Sequence, residues 1–498
     1  MTTYDHWIDG VAVPGTGDRF GEVFDPAVGV VRRRVRLGTA VDVDAAVSAA
    51  RRAADSWAQT SVTARSRIMF AFRELLVRHE DELAAVISSE HGKTLDDARG
   101  EVVRGREVVE FACGIPQLLK GAFSDQVSRG VDSYSFRQPL GVVAGITPFN
   151  FPVMVPLWMH PLAIACGNAF VLKPSERVPG ASDLVARLYQ RAGLPDGVFN
   201  VVHGDKVAVD ALLDHPGVDA VSFVGSTPIA RYVHGRAGAA GKRVQALGGA
   251  KNHAVVLPDA DLDFAADHIV AAGYGSAGQR CMAISAVVAV GSAADDLVER
   301  IRERTLHIAV GPGGADGVEM GPVVTAAARS RIAGAVAQGG KSGATVVVDG
   351  RDLVVAGHED GFFIGPTLLD HVTPSMDVYR DEIFGPVLAV LRVPTLDAAI
   401  DVINANPYGN GTAVFTSSGH VAREFQRRVE VGMIGVNVPV PVPMAFHSFG
   451  GWKQSLFGDH HVHGTEGVAF YTRAKVVTTR WPRVREATPA PLAFPTVS

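Results

Sequence analysis

The chain has 498 residues, 47% of them hydrophobic, and its 47 basic and 52 acidic side chains leave a net charge of -5 at pH 7. That length supports a large buried core and more than one domain, while the mildly acidic balance excludes the footprint of a nucleic-acid or anionic-membrane binder. Three cysteines, Cys113, Cys166 and Cys281, are odd in number and far apart, so a disulfide framework is not expected and a reducing compartment is.

The opening MTTYDHWIDG lacks a basic segment followed by an apolar core. No signal peptide is read there, and a cytoplasmic protein is expected. Residues 45–120 read as helix: VDAAVSAARRAADSWAQ, ARSRIMFAFRELLVRHEDELAAVISSEHG and ARGEVVRGREVVEFACGI repeat apolar residues every three or four positions with charges between. AFSDQVSRGVDSYSFRQP, residues 122–139, is polar, β-prone and without helical period, as a hairpin arm leaving its domain would be. After Leu140 strands and helices alternate. GVVAGITP and NAFVLKP read as strands, Ala181 to Ala192 as helix, GVFNVVHG as strand and Lys206 to Leu213 as a short helix. DAVSFVGS, a helix from Thr227 to Gly238, and RVQAL follow. This alternation predicts an α/β fold with a doubly wound parallel sheet and helices on both faces. HAVVLPDA, a helix from Leu262 to Tyr274 and AISAVVAVG begin a second α/β series. The most apolar stretch, Val153 to Leu172, is broken by Pro156, His160, Pro161, Gly167 and Asn168, so it reads as core and not as a membrane span. The tail PRVREATPAPLAFPTVS is expected to pack loosely.

FVGSTPIA follows an apolar strand and opens a helix, a place where a backbone can approach a pyrophosphate. Without a full GxGxxG, an ordinary strand-to-helix turn fits it equally. VLKPSE puts Lys173 and Glu176 beyond another parallel strand, where ligands gather. A carboxylate there accepts from ribose hydroxyls and repels a 2′-phosphate, which favours NAD over NADP, although taken alone the pair fits a solvated loop better. GYGSAGQRCMA sets Cys281 in a polar loop of small residues beside Arg280, and a nearby cation stabilises a thiolate. Cys113 and Cys166 fit the blander reading of small buried hydrophobes. In TPFNFP, Asn150 is either a turn former or a rigid amide donor for an oxyanion.

TPFNFP, LKPSE, FVGST, LGG, GQRCMA, EIFGPV and NPYGNG together resemble the aldehyde dehydrogenase superfamily, in its motif order and over nearly the whole chain. The resemblance implies Cys281 as nucleophile and Asn150, with the Cys281 backbone N–H, as oxyanion hole. It implies NAD as cofactor, placed by Thr147, Phe149, Lys173, Glu176, Gly225, Ser226, Glu382 and Phe384. It also implies a thioester on Cys281 after aldehyde oxidation. Ala230 stands where many members have the last glycine of the turn, and a small residue still fits. Residues 1–121 and 141–247 would form the NAD-binding domain, 248–450 the catalytic domain, and 122–140 with 451–498 an oligomerisation arm and C-terminal segment. Copies would pair as a dimer of dimers.

The same resemblance places a water-activating glutamate immediately before Leu-Gly-Gly, and this chain has Ala246 there. Three readings compete. The enzyme is dead, although its other positions are filled. Gln245 substitutes, although an amide is no base near neutral pH and strand alternation turns it to the other face. Or a thiol such as coenzyme A, and not water, takes the acyl group. GVNVPVPVPMAFHSFGGWKQSLFGD through GTEGVAFYTRAKVVTTRW, with LGGAKNH and RGREVVEFA, resembles the CoA-acylating methylmalonate-semialdehyde dehydrogenase branch. That branch implies malonate or methylmalonate semialdehyde as substrate and a role in valine, inositol or β-alanine catabolism. Its substrate carboxylate would need a cation, for which Arg104 and Arg280 are the candidates. FGDHHVHG could suggest a metal site, but none is expected. A hydrolysing aldehyde dehydrogenase and a non-redox Cys281 thioesterase or NAD-binding protein remain as alternatives.

Overall fold

The computed structural model of the chain describes residues 2–481, so the tail of residues 482–498 lies outside the described residues. The helical N-terminal third divides where caps stop and restart it. Ala40–Gln59 begins at Thr39, which forms a capping box with Asp42. Val62–Arg78 starts at Ser61, and Glu80–His91 ends on Gly92 at φ 92°. Leu95–Cys113 starts at Thr94, whose side chain accepts from the Asp97 N–H.

The first sheet has eight strands in the order Leu456–Phe457, Arg243–Leu247, Ala220–Val224, Val142–Ile146, Ala169–Lys173, Phe199–Val201, His6–Ile8, Val11–Val13. Its five central strands are parallel, and both edges are closed by antiparallel pairs. The second sheet runs Thr345–Val348, Thr367–Asp370, Val387–Val393, Ile284–Val290, Asn252–Val256, Gly411–Phe415, Met433–Val436. All its neighbours are parallel except the first pair. The expected arm is a three-stranded antiparallel sheet in the order Thr472–Arg480, Val131–Pro139, Phe123–Ser128. Two features escape sequence reasoning. The N-terminus supplies short strands, including a separate sheet of Thr2–Tyr4, Val30–Arg36 and Phe20–Asp25. Leu456–Phe457, from the C-terminal segment, joins the first sheet beside Ala246 and Leu247.

The apolar run after Val153 splits into helix Met154–Ala165, buried at every position, and strand Ala169–Lys173. Among the described residues no helix is long and apolar enough to cross a membrane. Helix Leu95–Cys113 lies close against Met154–Ala165. A Cβ at Gly105 would stand 2.7 Å from Leu157 Cδ1 and 3.1 Å from Met154 Cα, so only glycine permits this approach.

Candidate active site

Cys281 ends a sharp reversal. After helix Leu262–Tyr274, Ser276 (φ 54°), Ala277 (φ 52°) and Gly278 (φ 69°) take left-handed backbone in succession. Only the glycine does so without strain. The reversal is held from outside. The Cys281 carbonyl accepts from Asn252 Nδ2 at 2.8 Å and from Asn410 Nδ2 at 3.1 Å. Sequence reasoning gave neither asparagine a role, although both stand in quoted motifs, LGGAKNH and NPYGNG.

Burial pushes the Cys281 thiol up to about 12, and the Glu382 carboxylate pushes the same way. Burial likewise raises Cys113 to about 11 and Cys166 to about 12. Acidity therefore does not single out Cys281. Its surroundings do: it keeps partial solvent access while the other two are buried, and it lines one narrow cleft with Arg280, Glu382 and Phe384. With the thiol form dominant, the thiolate fraction grows about tenfold per pH unit. Iodoacetamide labelling of Cys281 without cofactor, followed by peptide mapping, is expected to rise by about that factor for each unit from pH 7 to 10. A plateau within that range would contradict the raised thiol.

Asn150 lies on the loop between strand Val142–Ile146 and helix Met154–Ala165 and is 3% exposed. Its Nδ2 donates to the Gln279 carbonyl at 3.0 Å, two residues before Cys281. One amide hydrogen is thereby used and the second is left over. The Asn150 carbonyl accepts from Lys93 Nζ at 2.8 Å, and Lys93 pairs with Glu101 at 2.8 Å, both side chains fully buried. Removing either partner of such a pair costs about 3–5 kcal/mol.

The expected cofactor residues fall along the C-terminal edge of the first sheet and in the cleft. Glu382 is half-buried, its carboxyl pushed up by desolvation and partly restored by the Ala250 N–H at 2.9 Å. Phe384, at φ 51°, meets Phe149 edge-on at 5.9 Å. Lys173 and Glu176 pair at 3.2 Å. Ser226 caps helix Thr227–Ala239 without a side-chain bond of its own, and the Thr147 hydroxyl is buried without a partner. Open capping groups, an orphaned hydroxyl and a half-buried carboxylate suit a polyhydroxylated, phosphate-bearing cofactor. NAD therefore fits the residues present.

The two arginines are not brought together. Arg280 stays beside Cys281 but bonds Asp97 at 2.5 Å. Arg104 is absent from the cleft lining. It pairs with Glu107 at 2.7 Å and donates to the Val442 and Pro443 carbonyls. His460 of FGDHHVHG faces Glu466 at 2.9 Å. His463 is buried against Trp158. Among the described residues no group of three or more His, Cys, Asp or Glu is placed to hold a metal.

Ala246, immediately before Leu-Gly-Gly at the strand end, is fully buried in the apolar cluster that includes Phe223, Ala230 and Val233. Leu247, one residue on and so on the opposite face of the strand, joins the apolar cluster that includes Met282 and against which Cys281 packs. Neither side chain can take a proton. Gln245 shares the face of Leu247, but its amide is bonded to Ser222 and to the His460 and His461 carbonyls.

Comparison with known proteins gives a consistent result. The model of the aldehyde dehydrogenase family matches residues 13–477. A malonate-semialdehyde dehydrogenase of Pseudomonas aeruginosa is 53% identical over 498 residues, covering all of both chains. The crystal structure of a methylmalonate-semialdehyde dehydrogenase from Oceanimonas doudoroffii superposes with TM-score 0.96 at 55% identity, over 97% of this chain and 99% of that one. A structure from Sinorhizobium meliloti 1021, provisionally assigned the same activity and complexed with NAD, gives TM-score 0.96 at 52% identity, over 98% and 99%. The chain belongs to the aldehyde dehydrogenase family.

Proposed function

We propose that the protein oxidises malonate or methylmalonate semialdehyde with NAD⁺ and coenzyme A, giving acetyl-CoA or propionyl-CoA, CO₂ and NADH. The observation that carries this is a thiol and a half-buried carboxylate lining one cleft, with the Asn150 amide bonded two residues before the thiol and no base for water on Ala246 or Leu247. The names of the relatives support the substrate class.

In this reading the thiolate fraction of Cys281, its proton passed to solvent, bonds to the aldehyde carbon, and the carbonyl oxygen takes up negative charge toward the unused Asn150 hydrogen and the Cys281 N–H. NAD⁺ would supply the hydride acceptor, with Glu382 to hold its nicotinamide ribose and Lys173 and Glu176 its adenosine ribose. The product on Cys281 is a β-carboxy thioester. Loss of CO₂ leaves an enolate, whose oxygen occupies the same donors until the α-carbon takes a proton from solvent. Coenzyme A then adds as its thiolate, its proton passing to solvent, and displaces the Cys281 thiolate with less need of a local base than water has. For the carboxylate, Arg280 would exchange Asp97 for substrate, and Arg104 would act from the 442–444 side. We also propose that residues 1–121 and 141–247 serve the cofactor and residues 248–450 the chemistry. The arm sheet would join copies as dimers that pair, in a cytoplasmic, reducing setting.

NADH formation from each semialdehyde, with and without coenzyme A, tests the proposal. Acyl-CoA as sole carboxyl product and at least about a tenfold drop in turnover without coenzyme A are expected. Fast, CoA-independent release of free acid would favour the hydrolysing alternative.

A further inference from the structure

Behind Asn150 lies a set of charges outside the cleft lining. Helix Leu95–Cys113 carries Asp97, Glu101 and Arg104 at i, i+4 and i+7, hence on one face. Each holds a different part of the site: Asp97 holds Arg280, Arg104 holds the 442–443 carbonyls, and Glu101 holds Lys93. The Glu101 contacts are the most specific. Its Oε2 accepts from Lys93 Nζ at 2.8 Å, and its Oε1 accepts from the Val153 N–H at 2.7 Å and the Met154 N–H at 3.2 Å. Lys93 Nζ donates its second bond to the Asn150 carbonyl and stands 4.3 Å from the Phe151 ring centroid.

A fully buried ion pair is seldom the most stable way to fill a core. What this pair does instead is grip the main chain just after the Asn150 side chain, at the carbonyl of residue 150 and the amides of 153 and 154. The close approach at Gly105 brings Glu101 within reach. We propose that Glu101, acting through Lys93 and the loop backbone, is the positioning residue that aims the Asn150 amide at the developing oxyanion. This rests on the reading of Asn150 as oxyanion donor.

The test is a double-mutant cycle on the full-length enzyme. It uses propanal and NAD⁺ so that it is independent of the semialdehyde assignment, and rates are normalised to Cys281 titrated by alkylation. Asn150→Ala is expected to lower kcat about 100-fold or more. If it leaves kcat unchanged, the oxyanion reading itself has failed, and the positioning proposal falls with it by a separate route. Glu101→Gln keeps the shape, loses the charge, and is expected to lower kcat about 30-fold with KM for NAD⁺ within about twofold, most of an oxyanion donor's effect. In the Asn150→Ala background the same change should cost less than about twofold. A folded Glu101→Gln enzyme with wild-type kcat, or a full additive loss in the double variant, overturns the proposal. If Glu101→Gln does not fold, Glu101→Asp enters the same cycle, and additivity there overturns it equally.

Discussion

Cys281→Ala abolishes NADH formation, by at least about 10⁴-fold, and leaves NAD⁺ binding within about threefold of wild type. The first half follows from chemistry, since the acyl group has no other thiol in reach: Cys113 and Cys166 are buried in the core. The second half follows from how the loop is held. Asn252 and Asn410 bond the main-chain carbonyl of residue 281, which alanine retains. The cofactor-side carboxylate Glu382 is fixed by the Ala250 N–H and not by the thiol. Turnover by stopped assay and binding by fluorescence titration separate the two. Residual oxidation above about one per cent would show that the thioester route is not obligatory, and lost binding would show that the side chain also shapes the cofactor site.

The second large effect concerns the fate of the acyl group. Ala246→Glu places a carboxylate immediately before Leu-Gly-Gly, where it can accept a proton from water. The product is expected to shift from acyl-CoA toward free acid by at least about tenfold, with coenzyme A no longer needed for sustained NADH formation. The methyl it replaces is fully buried, and an uncompensated charge there costs about 3–5 kcal/mol, so the variant should also lose several degrees of Tm. Product partition by chromatography on the folded variant decides. An unchanged ratio of free acid to acyl-CoA would show that the missing base does not set the acyl acceptor.

Much of this architecture can be read from the chain, because the parallel strands are mostly apolar runs of three to seven residues between helices, and periodicity reports both. The N-terminal strands could not be read. Thr2–Tyr4, His6–Ile8 and Val11–Val13 are three residues each, too short for a period, and their partners lie up to nearly 200 positions away. The site divides in the same way. Cys281 and Asn150 announce themselves by an irregular loop in an otherwise regular pattern. Glu101 reads as an ordinary helix-surface charge and Lys93 as a charge in the break between helices, since nothing local says that residues 150–154 cover them. Ala246 and Leu247 show the limit most clearly, because one residue of register decides which face of the strand each side chain takes, and register is set by Phe223, Val224, Leu456 and Phe457.

The left-handed turn before Cys281 has a consequence for how far the protein can be stabilised. Ser276 and Ala277 each hold a conformation that costs a non-glycine residue about 1–2 kcal/mol, and glycine at either position would relieve it. The same relief would enlarge the set of shapes open to the loop and scatter the sulfur over them. Thermal robustness and turnover thus pull in opposite directions at these two positions, and the sequence as it stands gives up some of the first to keep the nucleophile in one place.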